Sequence, residues 1–259
     1  MSATPIAHTT DATGDDAAAF LHGAALAAAS GLPLVTVHGE AAATAPHRLP
    51  DGATLATRWQ RPIDHQLRCH ACCDDITDNV LDALRHLGPR MVVVGTHARH
   101  GLGARLRGSV GEAIARGCGV PTLVVPNEGR GFVDVATGAI DLRRIVVPAQ
   151  DAASAHVAVA AARGLATLAG TPDVAIELLH AGDRDEPSLL ALGLPVVRRA
   201  GSLTEVVRDR VAEVDARLVV MATHGHDGPI DVVLGSHTER VLRDVAGPLL
   251  SVPWREPTT

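Results

Sequence analysis

A chain of 259 residues, 46% of them hydrophobic, is long enough to bury one large core or two of ordinary size. With only 2% aromatics and no tyrosine, that core must be built from Ala, Val and Leu, which suits helices packed on a buried sheet. A formal net charge of -6 speaks against a chain built to neutralise nucleic-acid phosphates, and four cysteines are too few for a disulfide scaffold.

The opening segment "MSATPIAHTTDATGDD" is polar and acidic, without the charged-then-apolar pattern of a signal peptide. No apolar run approaches the roughly 20 residues needed to cross a bilayer. The expectation is a cytoplasmic protein without a membrane partner. "PIAHTTDAT" predicts a first strand ending at Asp11, and "DDAAAFLHGAALAAASG" a helix stopped by Gly31. "LPLVTVHG" predicts a buried strand and "IDHQLRCHA" a weaker one. "ITDNVLDALRHLG" is an amphipathic helix closed by Gly88. "PRMVVVG", "SVGEAIARG" and "VPTLVVP" then give strand, helix and strand. After "NEGRGFVDVATGAID", a linker or connecting arm, the order returns: "RRIVVPAQD", "AHVAVAAARGLATLAG", "VAIELLHAG" and "LPVVRRAG". "SLTEVVRDRVAEV" opens with Ser202 and Glu205 at capping-box spacing. "ARLVVMATHG" and "GPLLSVP" are the last strands, with a helix from Ser236 between them.

The second half repeats the first. Gly95–Pro126 and Ala222–Pro253 align without a gap at a constant shift of 127 residues. Thr96, His97, Gly101, Gly108, Ser109, Glu112 and Arg116 recur as Thr223, His224, Gly228, Gly235, Ser236, Glu239 and Arg243. Two similar strand-helix units share glycines and apolar pattern by chance, but hardly the rest at one offset. The expected organisation is a first domain over 1–126, an arm over 127–141 and a second domain over 142–259. Alternating strands and helices imply parallel sheets covered on both faces. Ligands of such sheets sit beyond the strands' C-terminal ends, where strand order reverses.

In "GTHARHGLGARLRGSV", Gly108-Ser109 precede a helix whose unpaired amides and dipole favour a phosphate. Gly235-Ser236 repeat the arrangement, although a serine there also simply caps its helix. With "VVVGTH", "LRGSVGEAI" and "VPTLVVP" in one copy and "VVMATHG", "VLGSHTERVL" and "GPLLSVP" in the other, the chain resembles a tandem universal stress protein. The resemblance covers nearly the whole chain and is weakest around residues 40–70 and in the arm. It implies an α/β fold of two repeated domains, each a five-stranded parallel sheet with helices on both faces. It also implies a nucleotide loop, Gly-x2-Gly-x9-Gly-[Ser/Thr], after the fourth strand. Some members bind ATP, with Mg²⁺ accompanying it, and others do not; membership establishes no common reaction.

Mapped onto this chain, neither loop is complete. The first copy offers Gly95, Ala98 in place of the second glycine, Gly108, Ser109 and Val110. A left-handed backbone at Ala98 costs about 1–2 kcal/mol. The second copy is degenerate, with Ala222 in the first glycine position followed by Gly225, Gly235 and Ser236. The methyl of Ala222 is expected to obstruct a nucleotide. The aspartate that members place near the nucleoside is matched by Asp11, against Gln150 in the second copy. The family's His-Val at the end of the second strand, whose valine lines the adenine pocket, stands here as His38-Gly39 and His180-Ala181. Arg99, Arg105 and Arg107 favour a polyphosphate at the first loop, whereas Asp227 and Asp231 disfavour one at the second. Weak or conditional ATP binding is therefore expected in the first copy and a structural role in the second.

The alternative is a ligand-free stress protein acting through partners. The apolar strands "PTLVV" and "PLLSV" are expected to join the copies edge to edge, as members commonly dimerise there, which leaves room for a homodimer. Metal binding at His224, His226 and Asp227, or at His97 and His100, requires ligands that neighbouring loop positions need not bring together. In "CHACC" a Cys-x-x-Cys, Cys69 and Cys72, encloses His70; a zinc site there needs further ligands, His97 or His100 for example, and no metal ligand is assigned. A Ser-His-Asp hydrolase lacks its Gly-x-Ser-x-Gly elbow. No residue is assigned a catalytic role, and slow ATP hydrolysis is the most that is expected.

Overall fold

The computed structural model describes residues 3–10, 16–39, 51–96, 110–184, 186–224, 241, 244–245 and 247–254. The first copy contains β1 (Ile6–Thr10), α1 (Ala17–Ser30), β2 (Leu34–His38), α2 (Gly52–Trp59), β3 (His65–Cys69), α3 (Ile76–Leu87), β4 (Met91–Thr96), α4 (Val110–Gly117) and β5 (Thr122–Pro126). The second contains β6 (Arg144–Pro148), α5 (Ala152–Leu168), β7 (Ala175–Ala181), α6 (Pro187–Leu190), β8 (Val196–Arg199), α7 (Leu203–Val214), β9 (Leu218–His224) and β10 (Leu249–Trp254). Among the described residues no helix is long and apolar enough to cross a membrane.

The strands form one ten-stranded sheet in the order β3-β2-β1-β4-β5-β10-β9-β6-β7-β8. Every pair within a copy is parallel. The copies meet where β5 and β10 run antiparallel, Leu123 opposite Leu250 and Thr122 opposite Ser251. Each apolar end strand thus covers the other's edge with backbone hydrogen bonds. The outer strands end the sheet on polar sequence: His65–Cys69 is largely exposed and Val196–Arg199 closes on two exposed arginines.

Both faces are covered, so β1, β2 and β5 are buried along their whole length rather than at alternate residues. One face packs Ile6, Leu34, Met91, Val93 and Leu123 under α1 and continues through Ile145, Val147 and Leu250 under α5. The other packs Val35, Val92, Val94, Val146 and Val219 with residues of α3, α4 and α7. Glu177 of β7 is buried on that face and held by a bidentate Arg210 of α7, at 2.7 and 2.9 Å. Sheet register makes Glu177 the counterpart of Val35, so only the second copy carries this pair.

The segment between the copies is a packed arm. Phe132 is fully buried, its ring edge-on to His22 of α1 at 4.6 Å, and its amide donates to His22 Nε2 (3.2 Å). Val133 and Ile140 form an antiparallel bridge, and Trp59 Nε1 donates to the Val135 carbonyl (3.3 Å). Arg130 pairs with Asp215 of the second copy at 2.7 Å. The arm therefore ties α1 and α2 to the end of α7.

Candidate functional site

Strand order reverses in the first copy between β1 and β4, so the crevice begins where these strands end, at Thr10 and Gly95-Thr96. Gly95 is fixed by packing. A Cβ there would lie 3.0 Å from the Asp16 Cβ and 3.2 Å from Asn127 Oδ1. The first turn of α4 closes in from the other side, a Cβ on Gly111 reaching to 3.1 Å from the Gly95 carbonyl. The strand end, the start of α1 and the start of α4 therefore meet at one point, which brings Gly95 and Gly111 together.

Asp16 precedes α1 but makes no capping bond with its side chain; Asp151 before α5 accepts from the Ser154 amide and hydroxyl. The Asp16 carboxylate instead turns into the interior, with Oδ2 4.0 Å from Nε2 of fully buried His8. His8 Nδ1 contacts Thr36 Oγ1 (3.4 Å), which bonds His65 Nε2 (2.9 Å). Phe20 lies edge-on to both rings. Burial, with a smaller contribution from His65, lowers the His8 pKa from 6.5 to about 3. The ring is neutral near pH 7, so its contact with Asp16 is not an ion pair there.

The strand ends of the two copies share one further feature. His38 Nδ1 donates to the Thr10 carbonyl (3.1 Å), and His180 Nδ1 donates to the Ala149 carbonyl (3.0 Å). Register makes these bonds equivalent, because Ile6 lies opposite Leu34 and Met91 as Ile145 lies opposite Ile176 and Leu218. Gln150, which follows the end of β6 in the second copy, is exposed. The histidine at the end of each copy's second strand thus pins the first strand's end. Gly39 beside it has no space for a side chain, since a Cβ would come within 2.6 Å of the Ile76 carbonyl on α3.

Among the predicted residues, Gly95, Val110 and Ala222 are described. Asp11, Ala98, Gly108, Ser109, Gly225, Gly235 and Ser236 lie outside the described residues, as do His97, His100, His226 and the charged residues of both loops. Ala222 occupies the Gly95 position, opposite Val252 as Gly95 is opposite Val125. Its methyl packs against the apolar core on the α5 face, so the alanine is accommodated as a core residue. Sequence reasoning missed His8, Asp16 and Asn127. The double aspartate before α1 was the available signal, but nothing local shows that Asp16 turns inward. A separate cavity of about 230 Å³, lined by Met91, Pro121, Gly164, Leu168 and Leu250, opens between the copies at the N-terminal ends of β4 and β5, away from this crevice.

The universal stress protein family model matches residues 4–126 and 190–253, well over half of the chain. The chain belongs to the universal stress protein family. A universal stress protein from Archaeoglobus fulgidus DSM 4304 shares the fold over 97% of each chain, with 15% identity and a TM-score of 0.63. A functionally unknown protein from Pseudomonas aeruginosa PAO1 matches 97% of this chain and 93% of its own, with 11% identity and a TM-score of 0.64. No curated protein sequence matches the chain. Each copy is a parallel α/β sheet with helices on both faces, and the two copies form one continuous sheet.

Proposed function

We propose that this universal stress protein responds to adenine nucleotide, binding ATP weakly or conditionally at the first copy while the second serves as its structural partner. The observation that carries this is the meeting of Gly95 with the first turn of α4 at the switch point. A helix start at that place presents amides and a positive dipole to a phosphate. The chain between them contributes Arg99, Arg105 and Arg107, whereas Asp227 and Asp231 stand in the second copy. Magnesium would accompany the phosphates and neutralise their charge.

The fit is uneven. The phosphate end has the helix start of α4, with three arginines in the sequence that joins it to β4 and with Asp16 beside Gly95. At the base end, Gly39 has no side chain to cover adenine, and α3 fills the space where one would stand. Good phosphate contacts with thin base contacts give weak affinity. The role is non-catalytic, with occupancy acting through the contacts of α1, α4 and the arm. Calorimetric titration of the full chain with ATP, with and without Mg²⁺, tests this. The proposal expects one saturable site per chain. No heat, with no ATP-dependent rise in melting temperature, would favour a ligand-free protein acting through partners.

A further inference from the structure

A second cluster with ligand chemistry lies two strands away, at the outer edge of the first copy. Its residues come from the turn after β3 and from α3. His70 Nε2 lies 2.8 Å from Asp82 Oδ2, and a ring nitrogen of His70, a carboxylate oxygen of Asp82 and Cys72 Sγ all lie within 4.8 Å of one another. His86, one helical turn beyond Asp82, places Nδ1 3.4 Å from the same carboxylate oxygen, and its ring centroid is 6.4 Å from that of His70. The donors are thus His-x-Cys from a turn and Asp-x3-His from one helix face. Cys69, at the end of β3, is outside the set, so the Cys-x-x-Cys of the sequence is not the constellation.

The turn is held in shape from below. Asn79 is buried; its Oδ1 accepts from the amides of Cys72 (2.8 Å) and Cys73 (2.9 Å). Its Nδ2 donates to the Cys73 and Gly39 carbonyls, both at 2.9 Å. The His70 amide is fixed to the His38 carbonyl at 2.9 Å. The backbone of the turn is therefore fastened to α3 and β2, yet Cys72 and Cys73 are exposed. Thiols are among the side chains most often buried, so two on a fastened surface turn beside a histidine and a carboxylate need a chemical reason.

We infer that His70, Cys72 and Asp82 form a binding site for a zinc-class divalent cation, with water or His86 in the fourth position. One nitrogen, one sulfur and one carboxylate oxygen are a donor set that zinc accepts in tetrahedral geometry. Such geometry sets ligand atoms roughly 3.3–3.6 Å apart, so His70 and Asp82 separate slightly and Cys72 closes in. Binding replaces the Cys72 S–H bond with a sulfur–metal bond and releases the proton to solvent. His70, whose Nε2–H donates to Asp82 in the metal-free chain, moves its proton to Nδ1 and gives the Nε2 lone pair to the metal, and Asp82 exchanges that hydrogen bond for the metal. The site does not depend on the nucleotide reading.

Cobalt(II) reports the ligands by colour. Full-length protein, stripped with EDTA and kept reduced with a phosphine, is titrated with Co²⁺ and then back-titrated with Zn²⁺. The expected result is one Co²⁺ per chain with a near-ultraviolet thiolate-to-metal band and visible bands of tetrahedral intensity, all bleached by Zn²⁺. Cys72→Ser removes the thiolate band. His70→Ala and Asp82→Asn each weaken binding more than about tenfold. Cys69→Ser and Cys118→Ser leave the spectrum unchanged. Far-ultraviolet circular dichroism and urea midpoints in EDTA confirm that the variants are folded. Absence of a thiolate band, or a band that survives Cys72→Ser or Asp82→Asn in folded protein, overturns the assignment.

Discussion

Replacing His22 with phenylalanine tests how the arm is fastened. His22 Nδ1 lies 2.7 Å from the Ala18 carbonyl and must donate to it, which leaves Nε2 as the acceptor for the Phe132 amide. Phenylalanine keeps a ring beside Phe132 and removes the acceptor, leaving a buried amide without its partner. That costs about 1–3 kcal/mol. The substitution also has a pH signature. Burial lowers the His22 pKa from 6.5 to about 4, the Ala18 bond opposing this only in part. Between those values the unfolded chain binds the proton and the folded chain does not, so stability rises with pH and drains as pH falls below 6.5. His22 should contribute about 1 kcal/mol per pH unit inside that window. His8 contributes similarly between 6.5 and about 3 and remains in the variant. Urea unfolding from pH 7 to 5 should show His22→Phe less stable at pH 7 and less steep in its acid loss, and limited proteolysis should cut residues 127–141 faster. An unchanged pH slope, with a stability loss under about 0.5 kcal/mol, would refute this account of the arm.

Other substitutions probe the sheet and its junction. Arg210→Leu leaves the buried carboxylate of Glu177, among the described residues, with Arg144 at 3.6 Å, and should cost about 3–5 kcal/mol in urea unfolding. The double variant with Glu177→Val, which copies Val35 of the first half, should recover most of that loss. Gly164→Ala should stabilise the chain by up to about 1 kcal/mol, because it improves a helix interior and the added methyl meets no atom within 4 Å. A destabilised Gly164→Ala would show that the cavity between the copies closes on that glycine.

Continuous valine runs made β4 and β9 legible and the gapless repeat made the two copies legible, while the pairing of β5 with β10 followed from their apolar edges and the family resemblance. Helix α2 was missed because eight residues with two threonines and an arginine give little periodic signal, although Asp51 caps it by accepting from Ala53 and Thr54. Helix α6 is only four residues long. The sequence left residues 127–141 as a linker or connecting arm without showing how they pack, because the anchor, His22, is 110 residues away in sequence. The line from Asp16 through His8 and Thr36 to His65 depends on register across three strands, which no local pattern contains. Asp82 read as one polar position on an amphipathic helix, and only the fold sets it against His70.

The central claim is that the first copy, not the second, takes the nucleotide. Calorimetric titration of Gly108→Val and Gly235→Val against ATP and Mg²⁺, beside the unmodified chain, tests it most directly. Loss of binding in Gly108→Val with unchanged affinity in Gly235→Val is the predicted result. Binding that survives Gly108→Val and disappears in Gly235→Val would contradict it.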